Sequence, residues 1–293
     1  MLAAYLVLCI VWGSTYLAIR VGVREFPPAL FAGTRFLIAA AVLLGAVLGL
    51  GLGLPGRAAD WRTNGIVGVL LLLGGNGLVV WAEQFTPSGV TAIFVVTVTL
   101  WMALFDAILP GSRSRPTLAQ GGGLLLGFLG TLLLVGDDLG ALRQADWRGP
   151  LGLTTASMSW ALGSVYSTRH PTQGSPYANA ALQMLAGGLA LTLVGTLRGE
   201  WPLVRLTTGG VGALAYLIVL GSLVGYSSYV YVLRHMAPTI VGTYSYVNTV
   251  VAVLLGWLIL HEPIVPRTGL AMGVVLGAVI WVRRAGRVAA GDG

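Results

Sequence analysis

Long apolar stretches follow one another along almost the whole chain, separated by short polar segments. Each stretch approaches the roughly 20 residues that a helix needs to cross the hydrocarbon core of a bilayer. Proline, glycine and arginine mark the breaks, as in Leu54-Pro55-Gly56-Arg57 and Pro110-Gly111-Ser112-Arg113. The pattern predicts transmembrane helices over residues 3–23, 29–51, 65–84, 87–109, 117–135, 149–168, 176–197, 209–233, 238–259 and 264–283.

The second half of the chain repeats landmarks of the first half at a spacing of about 150 residues. The repeated residues are Gly13, Ser14 and Tyr16, which return as Gly163, Ser164 and Tyr166. A unit of five spans crosses the membrane an odd number of times, so its second copy inserts upside down, as in many alternating-access carriers. The sequence therefore predicts an all-α integral membrane protein with ten transmembrane helices in two inverted five-helix repeats.

The predicted boundaries are residues 1–136 for the first repeat, 137–148 for an external linker, and 149–293 for the second repeat with a short cytoplasmic tail. The composition of the chain agrees with a membrane protein. Hydrophobic residues make up 56% of the chain and charged residues 9%, whereas about a quarter of the residues are charged in a soluble domain. Few residues remain for a domain outside the lipid bilayer.

The formal net charge of +7 does not indicate nucleic acid binding. All 17 basic residues are arginines scattered over short loops, without a basic stripe. Nine of these arginines fall in loops on the side of the termini and six on the other side, and this bias predicts that both termini are cytoplasmic. We expect a multi-pass protein of the bacterial inner membrane.

Sequence signatures of enzymes and cofactor sites are missing. The match to a dinucleotide fingerprint at residues 51–56 closes an apolar helix instead of linking a strand to a helix. His261-Glu262 lacks the second histidine of a zinc site. We therefore expect no enzyme activity, no catalytic residues, no cofactor and no metal, and a membrane enzyme is the weaker alternative.

Ionisable residues inside a span are costly and point to function. Arg20, Arg35 and Glu83 fall at similar depth near one side of the membrane, and Gln183 is the repeat equivalent of Arg35. One interpretation is an ion pair that closes the bundle on that side, making these four residues gate or coupling residues. The other is that Arg35 holds a substrate carboxylate while Glu83 faces an ammonium group or carries a proton.

Aromatic and amide side chains deep within the spans predict a substrate cavity. Tyrosines offer an apolar ring and a hydrogen-bonding tip, which suit a wet, amphipathic site. Packing and interfacial anchoring are the alternatives for each residue. The candidate substrate-binding residues are Trp12, Tyr16, Asn76, Trp101, Trp160, Tyr226, Tyr229, Tyr244, Tyr246 and Asn248.

Small residues recur at every fourth position in two spans. Ala119, Gly123 and Gly127 lie in helix 5, and Gly269, Gly273 and Gly277 lie in helix 10. Such faces allow close helix packing in lipid. Packing within one chain is the simpler interpretation. A homodimer through helices 5 and 10, in place of a monomer, is the alternative.

Several of these motifs together resemble the EamA-type ten-helix transporters of the drug/metabolite transporter superfamily. They are Trp12-Gly13-Ser14-Thr15-Tyr16, Gly75-Asn76-Gly77, Pro87-Ser88-Gly89, the segment 160–166 and Tyr246-Val247-Asn248. The resemblance implies a central cavity lined mainly by helices 1, 3, 4, 6, 8 and 9, with helices 5 and 10 outside. It also implies export of a small metabolite from the bacterial cytoplasm.

Two positions depart from the pattern of that family. Thr99 and Thr249 stand where the family often has proline, which predicts straighter helices 4 and 9. The first helix also lacks the glutamate of the small multidrug resistance branch, which argues against proton-coupled export of cationic drugs. We expect a zwitterionic or neutral, amino-acid-like substrate. A drug or a sugar-related metabolite is the alternative substrate.

Overall fold

The computed structural model describes residues 1–86, 88–110, 116–134, 146–260 and 266–291, without the side chains of residues 16, 17, 20, 88–90, 256, 259, 260 and 287–291. These residues are almost entirely helical. In chain order the helices are α1 (Leu2–Gly22), α2 (Pro28–Gly49), α3 (Ala58–Ala82), α4a (Ser88–Val96), α4b (Val98–Ile108), α5 (Leu118–Leu134), α6 (Arg148–Arg169), α7 (Pro176–Leu197), α8 (Thr208–His235), α9a (Pro238–Gly242), α9b (Tyr244–Leu260) and α10 (Pro266–Gly291).

Seven helical stretches of the described chain have the length and hydropathy of a membrane span. They are Pro28–Gly49, Ala58–Ala82, Thr91–Ile108, Pro176–Leu197, Thr208–His235, Pro238–Leu255 and Pro266–Gly286. Leu2–Thr15 and Leu118–Leu134 are shorter apolar helices. A helical protein that crosses the membrane several times is therefore confirmed, while the full set of ten spans, the inverted repeat and the repeat boundaries stay predictions.

The helices of the two halves pack in matching pairs. α2 lies along α7, and α5 lies along α10. α1 packs against α8 and α9b, while α6 packs against α3 and α4. The first helix of each half therefore lies between the third and fourth helical segments of the other half, and residues of both halves join in the largest of the buried hydrophobic clusters.

α3 and α8 both contain a π-helical segment near the middle of the helix. The segments are Val69–Gly77 in α3 and Leu217–Tyr226 in α8. π-helical turns are rare and frequently occur at functional sites. They occupy corresponding positions in the two halves, and both border the centre of the bundle.

The fourth helical segment of each half is interrupted by a threonine. α4 breaks at Thr97 and α9 breaks at Thr243. Each hydroxyl donates to the carbonyl three residues earlier, at Phe94 and Ile240, a bond that commonly bends helices. Replacing proline by Thr99 and Thr249 therefore does not make these helices continuous, because other threonines interrupt them.

The small-residue stripes of α5 and α10 have different surroundings. Gly123 lies against Val282 and Gly127 against the ring of Tyr246, so the α5 stripe packs within the chain. A Cβ at Gly273 or Gly277 would meet nothing within 4 Å in the described chain. The α5 stripe thus serves internal packing, and a homodimer through α10 stays a prediction.

We predict that Gly127→Ala destabilises the protein and that Gly277→Ala does not. A Cβ at Gly127 would lie 2.9 Å from Cε2 of Tyr246, a buried ring whose hydroxyl donates to the Leu124 carbonyl at 2.7 Å. Overpacking of this kind costs about 1–3 kcal/mol. Thermal unfolding of the purified variants should show a lower Tm for Gly127→Ala alone, and equal Tm values would contradict this packing.

Candidate functional site

A cavity lies at the centre of the bundle between the two halves. It holds about 730 Å³ of non-protein space, part of it open to solvent. Its wall comes from α1, α2, α3, α4, α6, α8 and α9b, and is mostly apolar, with Ile19, Phe36, Leu72, Val79, Val95 and Val98 among the lining residues. The aromatic and polar lining residues are Trp12, Arg35, Asn76, Trp160, Tyr226, Tyr244 and Asn248. We call it the aromatic cavity.

Trp12 lies at the centre of the aromatic wall. Its ring centroid is 5.4 Å from that of Trp160, 5.2 Å from that of Tyr229 and 5.2 Å from that of Tyr244. The Trp12–Trp160 and Trp12–Tyr244 pairs are edge-to-face, a favourable arrangement of aromatic rings. Four helices, α1, α6, α8 and α9b, thus meet through one aromatic cluster.

Glycines in the π-helical segments make room for the two tryptophans. A Cβ at Gly225 in α8 would lie 2.4 Å from Nε1 of Trp12, and a Cβ at Gly75 in α3 would lie 2.6 Å from Cε3 of Trp160. Trp12 Nε1 also donates to the Gly221 carbonyl at 3.0 Å. Each tryptophan therefore packs against the backbone of the opposite half.

Arg35 brings a positive charge to the aromatic cavity. Arg35 is a buried residue with 5% of its surface exposed. Its Nε donates to the Ser222 hydroxyl at 2.8 Å, and its guanidinium carbon lies 4.7 Å from the centroid of the Phe36 ring. Gly221 leaves space for the guanidinium, because a Cβ there would lie 2.7 Å from Nη2. No ion pair within the described part of the chain joins Arg35 to a carboxylate.

Two amide side chains complete the polar lining. Asn76 lies in the π-helical segment of α3, and its Oδ1 is buried without a hydrogen-bond partner among the described residues. Asn248 is satisfied when its amide nitrogen donates to the carbonyls of Tyr244 at 3.0 Å and Cys9 at 2.9 Å. Asn248 therefore ties α1 to α9b, while Asn76 retains an unused acceptor beside the cavity.

Several predicted site residues lie outside this lining. Tyr229 packs behind Trp12 and Trp160, and its hydroxyl contacts Ser164 and accepts from Trp160 Nε1 at 3.0 Å. Trp101 stacks on Phe105 with centroids 6.0 Å apart. Tyr246 faces α5, where its hydroxyl donates to the Leu124 carbonyl. The structure brings neither Trp101 nor Tyr246 to the cavity wall.

Three of the predicted gate residues, Arg35, Glu83 and Gln183, lie at different places around the cavity. Arg35 lines the cavity, and Glu83 follows α3 as a half-buried residue that is not part of the lining. Gln183 lies in α7 behind the cavity, where its Oε1 accepts from the hydroxyl of Tyr226 at 2.8 Å. The side chains of the predicted residues Tyr16 and Arg20 are outside the described part of the structure.

The sequence analysis missed several residues of the site. Thr15 and Ser157 line the cavity, and Ser222 holds Arg35. Thr15 follows the repeated Gly13-Ser14 pair and Ser222 follows a glycine in α8, so their polar character within apolar spans was the available signal. Apolar lining residues carry no such signal, because any residue of a membrane helix can be apolar.

The chain is similar to known membrane transporters along nearly its whole length. The model of the EamA-like transporter family matches residues 1–136 and 147–284. The "Uncharacterized inner membrane transporter YedA" of Escherichia coli (strain K12) is 37% identical over 280 residues, covering 95% of this chain and 89% of that protein. The "Aromatic amino acid exporter YddG" of Ancylobacter novellus is 31% identical over 242 residues, covering 79% and 82%.

A solved crystal structure superposes on this chain with a TM-score of 0.77 at 22% identity, covering 96% of this chain and 95% of the other. That likeness concerns the fold alone. The names of the family and its members denote transporters rather than enzymes, and the apolar helices agree with a multi-pass protein of the inner membrane. Together these similarities establish that the chain belongs to the EamA-like transporter family.

Proposed function

We propose that this protein exports a small zwitterionic or neutral metabolite, an amino acid or a similar compound, by alternating access. The substrate site is the aromatic cavity, with Arg35 as the group that binds the substrate carboxylate. The remaining proposed contacts come from Trp12, Asn76, Trp160, Tyr226, Tyr244 and Asn248. Both termini lie in the cytoplasm in this proposal, and the two halves form an inverted pair.

The observation that carries the proposal is the setting of Arg35. Arg35 is 5% exposed as a residue, and its guanidinium has no carboxylate partner among the described residues. A buried charge of this kind is costly unless another group compensates it. A substrate carboxylate would supply that compensation, and it can bind a guanidinium through two parallel hydrogen bonds.

The rest of the lining suits the other parts of an amino acid. Asn76 Oδ1 is an acceptor without a partner in the described chain, and an ammonium group is a donor that would satisfy it. The rings of Trp12 and Trp160 and the surrounding aliphatic residues offer an apolar space for a side chain. The name of the Ancylobacter novellus relative, an aromatic amino acid exporter, supports this substrate class.

The alternatives fit the cavity less well. A cationic drug would be repelled by the positive charge of Arg35, and the described residues that line the cavity include no carboxylate to offset that charge. A sugar-related metabolite without an anionic group would leave Arg35 uncompensated. The names of the family and of its members denote transporters, which favours transport over a membrane enzyme. A zwitterion such as an amino acid therefore remains the favoured substrate, ahead of a neutral metabolite.

We predict that Arg35→Gln removes the preference for a free carboxylate. In proteoliposomes, uptake of labelled L-phenylalanine into preloaded vesicles is competed by unlabelled L-phenylalanine and by L-phenylalaninamide, which lacks the carboxylate. The unmodified protein should prefer the acid by about tenfold or more, since a hydrogen bond to a charged group contributes about 1.5–3 kcal/mol. Arg35→Gln should respond equally to both compounds, and Arg35→Lys should retain part of the preference.

The charge-reversed pair is the control for the ion-pair interpretation. If Arg35 and Glu83 only close one side of the bundle, the double variant Arg35→Glu, Glu83→Arg should recover most of the flux that either single change loses. In our proposal the double variant stays inactive although its Tm is normal. Recovery of flux, or an unchanged acid preference in Arg35→Gln, would refute carboxylate binding by Arg35.

We predict that Tyr244 and Tyr246 respond differently to replacement. Tyr246→Ala removes a fully buried ring that packs against Gly127 and should lower stability by about 3–5 kcal/mol, as for other large aromatic truncations. Tyr244→Ala widens an existing cavity and should mainly weaken substrate binding. Tm and the concentration for half-maximal flux separate the two effects. An equal loss of Tm in both variants would assign Tyr244 to packing.

A further inference from the structure

A second cavity lies at the end of the bundle where α6 connects to α7 and α8 connects to α9a. It holds about 1010 Å³ of non-protein space, including open solvent. Its charged lining residues are Asp106 from α4b, Arg169 from α6 and Arg234 from α8. We call it the arginine cavity. In the orientation proposed above it opens toward the cytoplasm.

Arg169 makes little use of its hydrogen-bonding capacity. Its Nη2 alone serves three acceptors, the Asp106 Oδ1 at 3.2 Å, the Asp106 carbonyl at 3.0 Å and the Phe105 carbonyl at 3.4 Å. Nε and Nη1 are buried and have no partner among the described residues. Unsatisfied buried donors are costly, so another state of the protein should provide acceptors for them.

The arginine cavity also carries more positive than negative charge. Arg234 donates to the carbonyls of Gly174 at 2.9 Å and Thr172 at 3.3 Å, and no described carboxylate forms an ion pair with it. Asp106 balances only one of the two guanidinium groups. A negatively charged group entering this cavity would therefore be attracted electrostatically.

A hydrogen bond between α8 and α7 links the walls of the two cavities. Gln183 lines the arginine cavity and Tyr226 lines the aromatic cavity, and the Tyr226 hydroxyl donates to Gln183 Oε1. Gln183 Nε2 in turn donates to Asn64 Oδ1 at 2.9 Å, and Asn64 donates to Asn179 Oδ1 at 2.8 Å. The chain of amides returns to the arginine cavity at Asn179, so the contact between the two walls is the hydrogen bond from Tyr226 to Gln183.

We propose that the arginine cavity is a second anion-binding site, in which Arg169 and Arg234 bind the carboxylate of the metabolite before it reaches Arg35. The identity of the anion rests on the proposed function, whereas the site itself rests on Arg169 and its surroundings. A carboxylate can take Nε and share Nη2 on the same edge of the Arg169 guanidinium. Because Nε is shielded here, the cavity wall must shift when the anion binds.

Charge-selective labelling tests the site without relying on transport. Ser167 lines the arginine cavity, so Ser167→Cys in a Cys9→Ala background places one thiol there. Reaction rates with an anionic and a cationic methanethiosulfonate reagent are each normalised to the rate with free cysteine. We expect the anionic-to-cationic rate ratio to exceed one, and to fall about fivefold in Arg169→Gln through the loss of one nearby charge.

Three variants make the result specific. Arg169→Lys keeps the charge and should keep the ratio, and Arg62→Gln removes an exposed arginine that does not line the cavity and should leave it unchanged. Arg234→Gln changes an exposed side chain and should lower the ratio, even if Arg169→Gln fails to fold. A ratio that Arg169→Gln and Arg234→Gln leave unchanged would overturn the proposal.

The same labelling distinguishes a metabolite from a lipid. In phosphatidylcholine nanodiscs, L-phenylalanine should slow the labelling of the introduced cysteine, and L-phenylalaninamide should not. If phosphatidylglycerol slows the labelling instead, the site binds lipid headgroups and the proposal is wrong. The two proposals can also fail separately. If the anionic-to-cationic rate ratio depends on Arg169 and Arg234 but flux is unchanged in the Arg35 variants, the anion site in the arginine cavity is supported and the proposed role of Arg35 is wrong.

Discussion

The centre of this protein depends on the reciprocal packing of two tryptophans against two glycines. Trp12 of the first half lies on Gly225 of the second half, and Trp160 of the second half lies on Gly75 of the first half. Both glycines lie in π-helical segments, where the altered helix turn presents backbone to a neighbouring ring. A side chain at either glycine would displace a tryptophan that lines the aromatic cavity, so the shape of this cavity depends on these close contacts.

The lipid environment explains how the remaining polar groups are used. Without water in the bilayer core, polar groups must find partners inside the protein. Most hydroxyls of α9b do so. Ser245 and Thr99 join α9 to α4b, Thr249 donates to the Ser245 carbonyl, and Tyr246 donates to α5. Among the buried polar atoms without a partner in the described chain, Asn76 Oδ1 is the one whose residue lines the aromatic cavity.

The sequence predicted the helices well because hydropathy along the chain records contact with lipid directly. Pro28–Gly49 and Pro176–Leu197 agree with the predicted spans 29–51 and 176–197 within a few residues. It predicted less well which side chains face the cavity. Tyr244 and Tyr246 are two residues apart on one helix, so they point roughly 200° apart around its axis, and hydropathy cannot tell one face from the other. The π-helical segments also shift the register of α3 and α8, which no periodicity in the sequence revealed.

The interruptions at Thr97 and Thr243 differ in one respect from interruptions made by proline. A proline removes a backbone donor permanently, so a helix broken by proline cannot become continuous. A threonine keeps its backbone N–H, and the N–H of Thr97 and of Thr243 donates to the same carbonyl as the hydroxyl, that of Phe94 at 3.1 Å and that of Ile240 at 3.3 Å. The interruptions at Thr97 and Thr243 therefore leave neither of these two backbone donors unsatisfied, so each helix changes direction inside the bilayer without exposing a polar group to lipid.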